Sequence, residues 1–190
     1  MLQRIKFYFD KINLHKKIRP VNRLDLNTSG LIIFAKNEYI QEALIKQMNN
    51  KTFKKDYLAV VCGKLSLKKG TINKPIARKE NSIIERCVSN NGKQAITHFE
   101  VLKEYDTFSL IKCVLETGRT HQIRVHLSSL GHTIYGDTLY GFEEDANLIS
   151  RQALHAYGLN FKSPRTKESL ELRAQLPDDI KLLLENLRNK

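Results

Sequence analysis

The chain has 190 residues, enough for one well-packed domain, and 41% of them are apolar, an ordinary share for a globular protein. No stretch approaches the roughly 18 consecutive apolar residues of a membrane-spanning helix, and the opening Met1-Leu2-Gln3-Arg4-Ile5-Lys6 lacks the apolar centre of a secretory signal, so a cytoplasmic protein is expected. A net charge of +12, gathered around Lys51, Lys54 and Lys55, around Lys64, Lys68 and Lys69, around Lys74, Arg78 and Lys79, and around Lys162, Arg165 and Lys167, argues for a polyanionic partner, because neutralising phosphates releases counterions.

Leu2, Ile5, Phe9 and Ile12 recur at helical spacing and predict a helix at the start. Gly30 opens an apolar, β-branched run, so residues 30–36 are expected to form a buried strand, and the polar cluster Asn27-Thr28-Ser29 ahead of it is turn chemistry. Asp25 therefore falls in a loop feeding a core strand. There it either closes a turn or pairs with Arg23, or it is displayed as a reactive group. Asn37 is placed to cap a second helix with Ile40, Ala43, Leu44 and Met48 on its apolar side. From residue 53 the pattern changes to short β-branched and apolar segments separated by Gly, Asn, Lys and Pro, at 57–61, 83–88, 94–102, 108–115, 153–161 and 170–174. Two more helices are expected: one over 121–130 with Thr120 as N-cap and Gly131 as stop, and one opened by Pro177, Asp178 and Asp179. Without regular strand–helix alternation, this predicts an α+β fold, a mixed and mainly antiparallel sheet with flanking helices.

Cys62, Cys87 and Cys113 are scattered in strand-like stretches with no Cys-x-x-Cys spacing, which fits buried reduced thiols. His121, His126, His132 and His155 lack both metal-ligand spacing and a nearby cysteine pair, so no metal site is expected.

Two blocks far apart in the chain carry the most chemistry: Asn22-Arg23-Leu24-Asp25-Leu26-Asn27-Thr28-Ser29-Gly30 and Thr117-Gly118-Arg119-Thr120-His121-Gln122-Ile123-Arg124-Val125-His126-Leu127. The first offers a carboxylate at the mouth of an apolar strand, the second an arginine at the entrance to a helix. Together with the ordered blocks 55–61, 136–141 and 154–159, they resemble the RluA-type pseudouridine synthases over roughly residues 15–175. The resemblance implies a fold of the α+β kind, no cofactor, and isomerisation of uridine to pseudouridine within RNA.

By the same resemblance Asp25 is the catalytic carboxylate, acting either as a nucleophile at C1′ or by removing a C2′ proton. Arg119 pairs with it, an arrangement that lowers a carboxylate's pKa and fixes its oxygens. Tyr57 lies against the target base, where its ring can stack and its phenol can take part in removing the C5 proton, although a strand tyrosine taken alone is more often core packing, and Arg23 fills the space left when the base is extruded. Arg124, one helical turn beyond Arg119, is either structural or RNA-facing and stands with Arg23, Lys54 and Lys55 among the RNA-binding candidates. Asp137 and Tyr140, bracketed by Gly136 and Gly141, are expected to be structural, and His155 and Tyr157 to belong to a core strand.

The chain departs from the pattern at Asn22, where the family commonly has histidine, and at Thr133, where it has proline. Relatives usually begin with an extra strand and an Asn-Lys-Pro segment, and many carry an S4-type RNA-binding domain ahead of it. This chain starts at the helix, so a single catalytic domain over 1–190 without either is expected. The expected partner is RNA, ribosomal first and transfer RNA next, with no membrane partner and a monomeric state. A non-catalytic RNA-binding or ribosome-assembly factor is the competing expectation, and a hydrolytic N-glycosidase a third.

Overall fold

The computed structural model describes residues 2–142 and 147–189. Within them the elements follow the order α1 (Leu2–Lys11), β1 (Arg19–Pro20), β2 (Ser29–Gly30), β3 (Phe34–Ala35), α2 (Glu38–Asn49), β4 (Lys54–Cys62), β5 (Lys69–Asn73), β6 (Ile76–Arg78), β7 (Arg86–Val88), β8 (Ile96–Glu104), β9 (Phe108–Leu115), α3 (Gln122–Ser128), β10 (Leu154–Lys162), β11 (Ser169–Arg173) and α4 (Asp178–Arg188). The main sheet runs β11-β10-β4-β9-β8-β5, antiparallel throughout, and β2 joins it as a parallel partner of β10. The α+β expectation holds. Among the described residues no helix is long and apolar enough to cross a membrane.

The core lies where β4 and β9 pack beneath α3 and α4. Val60, Val61, Phe108 and Ile111 from the strands meet Leu127 from α3 and Ile180 and Leu183 from α4, all essentially solvent-free. Burying each such side chain contributes about 1.5–3 kcal/mol. A second cluster of Val21, Leu44, Phe53, Leu159 and Phe161 fastens α2 to the far end of β10, with the Phe53 and Phe161 rings stacked at 5.2 Å. Asn37 caps α2 as expected, its Oδ1 accepting from the Ile40 amide at 2.9 Å.

The strand expected at 30–36 is instead two short pieces. Gly30 has φ +113°, and a Cβ there would collide with the backbone of Ala156 on β10, so the chain passes β10 closely and then turns away. Asn22 supplies what a neighbouring strand would have supplied: its Nδ2 donates to the Leu31 carbonyl at 3.2 Å and its Oδ1 accepts from the Ile33 amide at 2.8 Å. Residues 31–33 are accordingly only half-buried. The expected strand at 83–88 shrinks to β7, which pairs with β6 in a separate hairpin, leaving Ile83 and Ile84 exposed near its tip. The strands β5 and β6 lie where Gly70, Asn73 and Pro75 suggested only a connection.

Thr120 is not the cap of α3. His121 occupies that position in the left-handed region (φ 57°), without a side-chain cap. The amide of Arg119 is satisfied from inside the helix, by Gln122 Oε1 at 3.0 Å, which also accepts from Thr117 Oγ1 at 2.8 Å. Of the cysteines, only Cys113 is buried. Cys62, the last residue of β4, and Cys87, in the β6–β7 hairpin outside the main sheet, are partly exposed.

Candidate active site

The described residues form one large cleft, about 790 Å³, between the 20–28 segment, the start of β4 and the loop leading into α3. Arg23, Asp25, Lys55, Tyr57 and Arg119 all line it, so five of the seven residues singled out in the sequence converge on one space.

Asp25 is fixed by its loop. The Asp25 carbonyl accepts from the Thr28 amide at 3.0 Å, and Asn27 takes the left-handed conformation (φ 64°) that asparagine tolerates. The start of β10 holds the loop from below. Gln152 Nε2 donates to the Leu26 carbonyl at 2.6 Å and to Thr28 Oγ1 at 3.0 Å, while Arg151 donates to the Asn27 carbonyl at 3.0 Å and to Ser29 Oγ at 3.2 Å. Arg151 is itself gripped by Asp179 at the head of α4, at 2.6 and 2.9 Å. His155 Nδ1 lies 2.9 Å from Ser29 Oγ. None of these clamping roles is visible in the sequence, because Arg151 and Gln152 act from over a hundred residues away without a motif of their own.

On β4, period-two alternation puts Lys55 and Tyr57 on the cleft face and Lys54 and Asp56 on the other. Asp56 is turned to Lys112 and Arg173 on neighbouring strands, at 3.1 and 3.4 Å. Lys54 is exposed on that opposite side and is no part of the cleft. Burial holds the Lys55 ammonium below its ordinary pKa. Tyr57 is buried, and its phenol pKa is driven far above the ordinary value by that burial and then by the negative charge of Asp25. Tyr57 is therefore a protonated phenol within the field of Asp25.

Arg119 does not pair with Asp25. It is exposed at the cleft mouth, where its Nε donates to the Gln94 carbonyl at 2.9 Å. Arg124 takes a different place from the RNA-facing one. It is buried, with Nε donating to Asp137 Oδ2 at 2.7 Å and Nη2 to Oδ1 at 2.6 Å, and with its guanidinium 5.0 Å from the centre of the Tyr140 ring. Burial opposes its charge. The hydrogen bonds and charge of Asp137, and then the charge of Asp25, outweigh that and raise its pKa. A buried guanidinium whose Nε–Nη2 edge is taken by Asp137 and whose face lies on Tyr140 is poorly placed to meet a phosphate, and the charge of Asp25 bears on it. The helical position five residues after Arg119 turns it inward, a distinction the motif alone does not make.

His121 completes the surroundings. Burial depresses its pKa, the charge of Asp25 opposes that, and its Nδ1 lies 2.8 Å from Tyr140 Oη. Asp137 and Tyr140 are structural in the sense expected, but what they support is Arg124 and His121.

The family model described as RNA pseudouridylate synthase matches residues 3–129. An uncharacterized RNA pseudouridine synthase, YlyB, from Bacillus subtilis is 45% identical over 181 residues, covering 94% of this chain and 59% of that protein. Ribosomal large subunit pseudouridine synthase D from Nitrosomonas europaea is 43% identical over 176 residues, covering 89% of this chain and 51% of its own length. This chain thus spans little more than half of these curated relatives. Among solved structures, human RNA pseudouridylate synthase domain containing 1 superimposes with a TM-score of 0.75 at 26% identity, over 92% of this chain and 81% of that one.

Proposed function

The chain belongs to the RNA pseudouridylate synthase family, and we propose that it isomerises uridine to pseudouridine within RNA, with ribosomal RNA as the first substrate to test. The observation that carries the proposal is the convergence of Asp25, a protonated Tyr57, Lys55, Arg23 and Arg119 on one basic cleft, with the charge of Asp25 also bearing on the buried Arg124. Ribosomal RNA is favoured because the similar protein from Nitrosomonas europaea is named for the large ribosomal subunit.

The chemistry divides among these groups. The Asp25 carboxylate acts at the ribose as the N1–C1′ bond breaks, where an anion stabilises positive charge developing at C1′ or adds to it. Arg124, held by Asp137, contributes positive charge to the surroundings of that carboxylate. The uracil is held while it turns so that C5 rejoins C1′; the C5 proton then passes to solvent and N1 takes up a proton from solvent, which balances the isomerisation. A phenol with so high a pKa is a poor base near neutrality, so Tyr57 contributes stacking and hydrogen-bond donation rather than proton removal. Arg23 and Arg119, both exposed at the mouth, and Lys55, deeper in, meet the phosphates and fill the space left by the extruded base.

The test is incubation with ribosomal and transfer RNA transcripts followed by complete digestion and nucleoside chromatography. Pseudouridine supports the proposal, and free uracil would mean a glycosidase instead. Tight RNA binding with neither product would leave a non-catalytic binding factor.

A further inference from the structure

Tyr140, at the end of the Gly136–Gly141 loop, joins that loop to β7 and to the start and body of α3. Its hydroxyl accepts from the Arg86 amide of β7 at 2.8 Å. The same oxygen lies 2.8 Å from His121 Nδ1. Its ring stands under the Arg124 guanidinium at 5.0 Å and meets the His121 ring edge-on at 5.6 Å. Its own amide donates to Asp137 Oδ1 at 3.1 Å, the oxygen that also receives Arg124 Nη2.

The Arg86 amide occupies one lone pair of the hydroxyl. The partner beside the phenol proton is His121 Nδ1, and donation to it puts the proton of the neutral imidazole on Nε2. The groups that bear on this imidazole are Asp25 from the catalytic loop, Arg124 from α3, Arg86 from β7, and Asp137 and Tyr140 from the 136–141 loop.

We propose that Tyr140 and His121 are positioning residues for the reaction: the Tyr140 hydroxyl locks His121 as the neutral Nε2–H tautomer at the left-handed turn that starts α3, and together with the Tyr140 ring beneath the guanidinium this fixes Arg124 on Asp137. The role rests on the activity proposed above. Because the same hydroxyl is bonded to β7, and Ile76 and Val88 of the hairpin pack with Val125 of α3, the β6–β7 hairpin is mechanically tied to the centre, and a substrate that seats on the hairpin bears on the catalytic geometry partly through this oxygen.

Tyr140→Phe isolates the hydroxyl, since it keeps the ring under Arg124. With wild-type protein active on an RNA transcript, the variant is expected to lose at least tenfold in kcat with KM within twofold. The acid limb of its kcat profile is expected to move to higher pH, because an imidazole that no longer accepts at Nδ1 is easier to protonate. Unchanged kcat and an unchanged acid limb overturn the proposal, and inactive wild-type protein overturns the proposed function instead. If the variant does not fold, the 15N spectrum of the wild-type imidazole decides. An unprotonated, hydrogen-bonded Nδ1 for His121 upholds the lock, and a protonated Nδ1 in the neutral ring overturns it.

Discussion

Arg124 and Asp137 form a fully engaged, bidentate ion pair, with contacts of 2.7 and 2.6 Å and side chains 8% and 1% exposed. Asp137 also accepts the amides of Leu139 and Tyr140, so its carboxylate is spent on holding both the guanidinium and the loop that delivers it. The charge of Asp25 bears on this pair, whereas Arg119 spends its Nε on the Gln94 carbonyl.

Arg124→Gln should therefore do two things at once. It leaves Asp137 buried without its cation, a loss of about 3–5 kcal/mol, read as a lower midpoint in urea unfolding. It also removes at least a hundredfold in kcat from whatever fraction stays folded. Arg119→Gln should leave stability within about 0.5 kcal/mol and act mainly on KM. A larger kcat loss at Arg119 than at Arg124 would reverse the assignment.

The two lysines before Tyr57 should separate cleanly. Lys55 lines the cleft and Lys54 does not. Lys55→Gln should weaken RNA binding and reduce the slope of log K against log salt by about one, whereas Lys54→Gln should change neither by a measurable amount. Equal slopes for both variants in a filter-binding salt titration would contradict the placement.

Gln152→Leu tests the clamp beneath the catalytic loop. The change removes the bonds to the Leu26 carbonyl and Thr28 Oγ1 and should cost about 1–2 kcal/mol of stability. It should cost disproportionately more in turnover, more than tenfold, with RNA affinity near that of the wild type. A variant that loses only stability would show that the loop holds Asp25 without Gln152.

Stability should fall at alkaline pH through Cys113. Burial pushes its thiol up to about 12 from an ordinary value of 9.0. The folded state thus favours the protonated thiol, and its contribution is complete below the unfolded-state pKa and lost as pH rises through that window. Cys113→Ala should be less stable at neutral pH but show a shallower decline of unfolding free energy from pH 9 upward. A decline parallel to wild type would remove Cys113 from the explanation.

The strands at 108–115 and 153–161 were legible because each alternates or runs continuously apolar against a buried neighbour, and both lie within one residue of β9 and β10. The 30–36 segment was misread for the same reason: its apolar run resembles a core strand, but Gly30 beside Ala156 and the side-chain bonds of Asn22 divide it. Asp25, Tyr57, Lys55, Arg23 and Arg119 were legible as cleft residues because each lies in or beside a dense local motif. Lys54 followed from charge alone, and alternation along β4 places it on the opposite face. What the sequence hid were relationships across the fold. The choice of Arg124 over Arg119 depends on the helix phase set by the left-handed His121, and the clamp by Arg151 and Gln152 on where β10 begins.

The most direct measurement is tritium release from RNA labelled at uridine C5, comparing this protein with Asp25→Asn, a near-isosteric change that removes only the charge. Release by the wild type with pseudouridine as product, abolished in a folded Asp25→Asn variant, is the predicted result. Equal release by Asp25→Asn and wild type would contradict the central role of Asp25, and absence of release by either on every ribosomal and transfer RNA transcript, with RNA still bound, would contradict the isomerase itself.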